Sequence, residues 1–147
     1  MPVLKPGDSA PQFTLATDEG KSVSLAGLRD KPIVLFFYPK DDTPGCTLEC
    51  KEFRDARAQY LEKAHVFGIS PDDMASHQAF RDKYALNFPL LSDPGHAVAD
   101  QYGVWGVKPS GNAGIFRTTF IIKDGKVARV FEAVKPEGHA AEVLAAL

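Results

Sequence analysis

The sequence predicts one α/β domain over residues 1–147, a thioredoxin-like arrangement in which a central mixed β-sheet is flanked by helices and an N-terminal β-hairpin is added at its edge. Three observations carry this. Apolar runs of strand length recur at 33–37, 66–70 and 118–122; amphipathic patterns of helical period follow the first two; and Lys123-Asp124-Gly125-Lys126 joins the last run to 127–131 with a tight hairpin signal.

Taken in order, residues 6–11 form a Gly/Pro/Asp-bearing opening, and 13–16 and 22–25 alternate about the turn Asp18-Glu19-Gly20, which suits an edge hairpin serving as a lid or flank. Residues 32–38 read as a fully buried strand. From Thr43 to about Leu61 the pattern is helical, with Phe53, Tyr60 and Leu61 on repeating turns. Val66-Phe67-Gly68-Ile69-Ser70 is a second buried strand. Pro71-Asp72-Asp73 opens a helix carrying Met74, His77, Phe80 and Tyr84, and 88–92 reads as a short strand or extended link. A short helix near 97–102 precedes a Gly/Pro-rich loop over 103–114. After the hairpin a last helix is expected from about 137 to 147. Strand–helix–strand–helix, then an antiparallel hairpin and a terminal helix, is the order of the thioredoxin fold. No repeat, low-complexity segment or linker divides the chain.

Composition narrows the function. Formal net charge is −2 and no Lys/Arg run exceeds a pair, which argues against a nucleic-acid partner. No window approaches the roughly 20 apolar residues of a membrane span, and the first residues show neither a basic nor an apolar leader region, so a cytoplasmic protein without a membrane partner is expected. Only two cysteines are present, four positions apart. In that compartment they point to redox or metal chemistry rather than a structural disulfide framework. No histidine falls at a zinc-ligand spacing from them, so neither metal nor cofactor is expected; His65, His77, His96, His139, Tyr102 and Trp105 read as packing or surface residues.

The most informative stretch is Tyr38-Pro39-Lys40-Asp41-Asp42-Thr43-Pro44-Gly45-Cys46-Thr47-Leu48-Glu49-Cys50. It places Cys46 where a buried strand has ended and a helix begins. Thr43 fits the N-cap and Pro44 the first helical position, so Cys46 falls at the third, on a surface-facing turn. The free N–H groups and partial positive charge there favour a thiolate, the reactive form of cysteine. The Cys-x-x-x-Cys spacing disfavours an ordinary disulfide oxidoreductase, which carries Cys-x-x-Cys.

Pro39-x-x-x-Thr43-x-x-Cys46 resembles the active-site signature of peroxiredoxins, most closely the bacterioferritin comigratory protein, or Q-type, subfamily. The resemblance extends to Gly7-Asp8-x-Ala10-Pro11-x-Phe13, Phe53-Arg54-Asp55, Gly68-Ile69-Ser70 and Gly114-Ile115-Phe116-Arg117-Thr118-Thr119-Phe120. It implies a peroxidase in which Cys46 attacks a hydroperoxide and becomes a sulfenic acid, Thr43 orients the peroxide, Pro39 shields the pocket, and Arg117 stabilises thiolate and transition state. Glu49, matching the family's Cys-Thr-x-Glu, would fix the arginine. The reductant would be thioredoxin or a similar dithiol, and the protein is expected to be a monomer. Cys50 departs from the pattern: two-cysteine members place the resolving cysteine of this helix five residues after the first, whereas here the interval is four. It is the candidate resolving residue, with a one-cysteine mechanism as the competitor. A redox-responsive sensor or chaperone using Cys46 without rapid turnover is the alternative function.

Overall fold

A computed structural model describes residues 2–147. The apolar run at 33–37 forms β3 (Ile33–Phe37), the axis of a seven-stranded sheet. β3 pairs in parallel with β4 (His65–Ser70), which pairs in parallel with β5 (Leu90–Ser92). Beyond β5 the edge is an antiparallel hairpin, β1 (Thr14–Thr17) and β2 (Ser22–Ser24). On the other side of β3 lies the antiparallel hairpin β8 (Thr118–Lys123) and β9 (Lys126–Phe131). The sheet is therefore mixed, with an edge hairpin built from the N-terminal segment. The opening residues flank the opposite edge, where Gly7 N–H donates to Val127 O at 2.8 Å and Ala10 N–H to Gly125 O at 2.9 Å.

Strand period sorts the core into two layers. Val34, Phe36 and Tyr38 face one side with Phe53, Phe80, Phe88 and Val143, while Ile33, Leu35 and Phe37 face the other with Ile69, Val98, Tyr102 and Phe120. The first layer is covered by α1 (Pro44–Asp55), α3 (Met74–Tyr84) and α5 (His139–Ala145), the second by α4 (Ala97–Tyr102) and the opening segment. Phe53 of α1 stacks on Phe36 of β3 with ring centroids 4.6 Å apart. That contact, supported by burial contributing about 2–3 kcal/mol for such a side chain, fixes the C-terminal half of α1 on the sheet. Gly68 makes room for it: a Cβ there would lie 2.9 Å from the Phe36 ring and 3.1 Å from Tyr38.

Three elements differ from the sequence reading. The helix expected to reach Leu61 breaks at Ala56 and restarts as α2 (Arg57–Tyr60); the kink buries Tyr60, leaves Leu61 exposed, and returns the chain to β4 through Ala64 N–H to Tyr60 O. The loop at 103–114 contains a small separate hairpin, β6 (Trp105–Val107) and β7 (Ala113–Ile115). The last helix is shorter than expected at both ends, starting after Gly138, whose φ of 76° is left-handed. Among the described residues no helix is long and apolar enough to cross a membrane.

Candidate active site

Cys46 is the third residue of α1, after Pro44 and Gly45, with Thr43 at the N-cap. The first helical hydrogen bond runs from Thr47 N–H to Thr43 O at 2.8 Å. The Thr43 hydroxyl does not cap the helix, however. It donates back to Lys40 O at 2.8 Å, so it braces the preceding loop and leaves the first turn without a side-chain cap. Pro39 sits half-buried in that loop, just after β3.

Cys46 is fully buried, contrary to the surface-facing turn expected of it. The cover comes from distant sequence: the Arg117 guanidinium, delivered immediately before β8, lies across the helix start. A Cβ on Gly45 would stand 3.1 Å from Arg117 Nη2 and 3.4 Å from Pro136 Cγ, so glycine is what lets the roof close. Arg117 Nη2 donates to Cys46 Sγ at 3.3 Å and Nη1 donates to Glu49 Oε1 at 2.7 Å. One planar fork thus joins the thiol to a buried carboxyl one turn away along the same helix. Burial works against the guanidinium charge, but Glu49 and Cys46 outweigh it and hold the Arg117 pKa above its usual value.

Glu49 is fully buried, and among the described residues its Oε2 has no hydrogen-bond partner. Burial pushes its carboxyl up to about 7, only partly opposed by Arg117. His139 Nε2 lies 4.0 Å from Oε2 and 2.7 Å from the Thr119 hydroxyl, and burial lowers the pKa of that imidazole despite Glu142 beside it.

Cys50 lies one turn beyond Cys46, inside the apolar layer with Tyr38 and Phe53, and is fully buried. Both cysteines are free thiols and α1 runs unbroken through them. Burial, then the charges of Glu49 and Cys46, push the Cys50 pKa well up. In this state Cys50 is a protonated core residue.

A second polar cluster escaped the sequence reading. Donor atoms of Asp41, Asp72 and His77 lie within 4.8 Å of one another. They are engaged with protein groups: Asp41 Oδ2 faces His77 Nδ1 at 2.7 Å and accepts the Ser76 hydroxyl at 2.8 Å, Asp72 Oδ2 accepts Asp41 N–H at 2.8 Å, and His77 Nε2 faces Leu91 O at 2.9 Å. A metal would have to displace these bonds, so the set serves as a hydrogen-bond network. Its sequence signal was an acidic pair just before Thr43 and a histidine in register with Phe80 on the buried face of α3.

A Cys-centred helix start on this fold defines a thiol-based redox enzyme, and the comparisons agree. The AhpC/TSA family pattern matches residues 6–130. The Bcp protein of Coxiella burnetii is 49% identical over 153 residues, covering 98% of this chain and 99% of that protein. Peroxiredoxin Bcp of Bacillus subtilis is 41% identical, covering 96% and 93%. The solved structure of the Xanthomonas campestris bacterioferritin comigratory protein, studied for its alkyl peroxide reduction activity, superposes with a TM-score of 0.88 at 33% identity, covering 98% of this chain and 94% of that one. BcpB of Mycobacterium tuberculosis gives 0.88 at 37%, covering 97% and 95%. The chain belongs to the AhpC/TSA family. It is a peroxiredoxin, a thiol-dependent peroxidase.

Proposed function

We propose that this peroxiredoxin reduces hydrogen peroxide and organic hydroperoxides at Cys46, acting as a cytoplasmic monomer recycled by thioredoxin or a similar dithiol. The Cys46 thiolate attacks the terminal peroxide oxygen, the O–O bond breaks, sulfur is oxidised to sulfenic acid, and the leaving alkoxide or hydroxide takes up a proton as alcohol or water. A second thiol then attacks the sulfenic sulfur, releasing water and forming a disulfide that the dithiol donor reduces. In this reading Arg117 holds the thiolate and meets the charge growing on the leaving oxygen, Glu49 fixes Arg117, Thr43 orients the peroxide, and Pro39 shapes its approach. Cys50 supplies the second thiol after the first turn of α1 has opened.

The observation that supports the reading best is the Arg117 fork, with one N–H on Cys46 Sγ at 3.3 Å and the other on buried Glu49. Such preset donors act where charge develops and lower the barrier without reorganising. The test is peroxide consumption with thioredoxin and its reductase, by wild type and Cys46→Ser. Wild type is expected to turn over and Cys46→Ser to be inactive, because serine does not ionise at neutral pH. Turnover by Cys46→Ser would end the assignment; oxidation of wild type without turnover by any dithiol would favour a sensor.

A further inference from the structure

The loop from Tyr38 to Thr43 delivers the chain to Cys46, and α3 grips it at two successive aspartates. Asp41 turns inward and is buried. Its Oδ1 accepts the Tyr38 hydroxyl at 2.6 Å and its Oδ2 accepts the Ser76 hydroxyl at 2.8 Å, with His77 Nδ1 at 2.7 Å from the same oxygen. Asp42 turns outward at a left-handed φ of 57°, and its carboxylate accepts Lys83 Nζ at 2.8 Å and the Tyr84 hydroxyl at 2.7 Å. Ser76 and His77 lie in the first turn of α3 and Lys83 and Tyr84 in its last, so the helix spans the loop from both ends. The same helix end also holds α1, through Arg54 Nη1 to Tyr84 O at 2.7 Å.

The protonation of His77 follows from its partners. Leu91 O can only accept, so Nε2 carries a hydrogen. A carboxylate already taking two hydroxyl donors is an acceptor toward Nδ1 as well, so Nδ1 carries one too. His77 is therefore an imidazolium with both N–H groups committed, one to the active-site loop and one to β5.

We infer that His77 is a positioning residue of the peroxidase reaction: its doubly donating ring ties Asp41 to the sheet and thereby holds the Pro39–Thr43 loop, with the Thr43 hydroxyl, in the arrangement that receives peroxide. The inference rests on the peroxidase reading of Cys46 and adds a residue on a different element. The groups facing the ring are the Asp41 carboxylate, the Tyr38 hydroxyl at 3.5 Å from Nδ1, the Asp72 carboxylate within 4.8 Å of the cluster atoms, and the Leu91 carbonyl. Burial opposes the charge on His77, but Asp41 outweighs it and holds the pKa above that of an ordinary histidine. The grip holds for as long as the ring keeps both N–H groups, one toward Asp41 Oδ2 and one toward Leu91 O. When rising pH deprotonates the ring it loses one of its two N–H groups, and either the tie to Asp41 or that to Leu91 is broken.

The test compares two reactions of Cys46: oxidation by hydrogen peroxide, which needs the loop, and alkylation by iodoacetamide, which needs only an accessible thiolate. In His77→Gln the ratio of the two rate constants is expected to fall by about tenfold or more, toward the roughly hundredfold loss that a misplacement of about 1 Å can cause. In wild type the ratio should fall at alkaline pH, and in the variant that decline should be absent. An unchanged ratio in His77→Gln, with both rates moving together or neither moving, overturns the assignment. Should the variant not fold, 15N NMR of the wild-type ring decides: both nitrogens protonated at pH 7 supports the grip, and a neutral single tautomer overturns it. Wild type that is alkylated at Cys46 but inert to peroxide would defeat the peroxidase reading itself, a separate outcome.

Discussion

Replacing Glu49 with glutamine should stabilise the protein at neutral and alkaline pH while slowing its chemistry. The carboxyl is fully buried, Oε1 is bonded to Arg117, and Oε2 has no hydrogen-bond partner among the described residues. Burial raises its pKa from 4.5 to about 7. A carboxyl with a higher pKa in the native state binds more protons native than unfolded, so stability is greatest while the group is protonated and falls as pH climbs from about 4.5 to about 7. At 1.36 kcal/mol per pKa unit the ionised form costs about 3 kcal/mol above that window. Glutamine keeps the acceptor toward Arg117 without the charge. In a Cys46→Ser background, which keeps thiol ionisation out of the measurement, urea unfolding should show Glu49→Gln within about 1 kcal/mol of its parent at pH 4.5 and about 2–3 kcal/mol more stable at pH 8. With Cys46 present, the variant should react with peroxide on the order of tenfold more slowly, because Arg117 has lost its charged anchor. Stability curves that stay parallel from pH 4.5 to 8 would refute the reasoning, as would a variant less stable than its parent at pH 8.

Arg117→Ala removes the donor on Cys46 Sγ and should slow peroxide oxidation on the order of a hundredfold, as loss of one preset donor does elsewhere; stopped-flow oxidation rates check it, and wild-type rates would discard the role. Thr43→Val should slow that step by about tenfold yet cost well under the roughly 1 kcal/mol of a lost N-cap, because the hydroxyl bonds Lys40 O rather than the helix; a full capping loss in urea unfolding would contradict this. After one equivalent of peroxide, wild type should lose two hydrogens in a Cys46–Cys50 peptide by mass spectrometry, whereas Cys50→Ser should form no disulfide, stop at the Cys46 sulfenic acid and be overoxidised there once peroxide is in excess; identical products in both would take Cys50 out of the mechanism.

What could be read from the sequence was set by local signals, and what could not was set by distant ones. Asp124 and Gly125 carry the turn between β8 and β9 at φ 50° and 75°, the left-handed pair that Asp-Gly supplies, and β3, β4 and β8 announced themselves as apolar runs, whereas 88–92 left strand and extended link open for β5. The break at Ala56 gave no warning, since alanine favours helices and the interruption comes from burying Tyr60 and turning back to β4. β6 and β7 are three residues each and pair Gly106 with Gly114, a composition that reads as loop. At the site, the signature named Thr43, Cys46, Glu49 and Arg117, and the structure brings the last three together. It could not reveal that Cys46 is covered, because the guanidinium above it comes from 71 positions away. Nor could it pair His77 with Asp41, separated by 36 positions, or turn the Thr43 hydroxyl toward Lys40.

The burial of both thiols bears directly on how the sulfenic acid would be resolved. Cβ atoms four apart on a helix are about 5–6 Å from each other, whereas a disulfide holds them near 3.8 Å, so closure between Cys46 and Cys50 requires α1 to open. The helix is unevenly secured against that. Its first turn has no side-chain cap, no acidic residue to meet the dipole, and a glycine at its second position. From Phe53 onward it is stacked on Phe36, and Arg54 is bonded to Tyr84 O. Opening should therefore run from Pro44 to about Cys50 and stop at the docked half. The same movement exposes Cys50, removing the burial that keeps its thiol protonated, so one local unwinding supplies both the reach and the thiolate that resolution needs. On one side of this segment Asp41 and Asp42 remain bound to α3, and on the other Phe53 remains on the sheet, so the enzyme can unwind between two fixed points and return to the peroxide-ready arrangement once the disulfide is reduced.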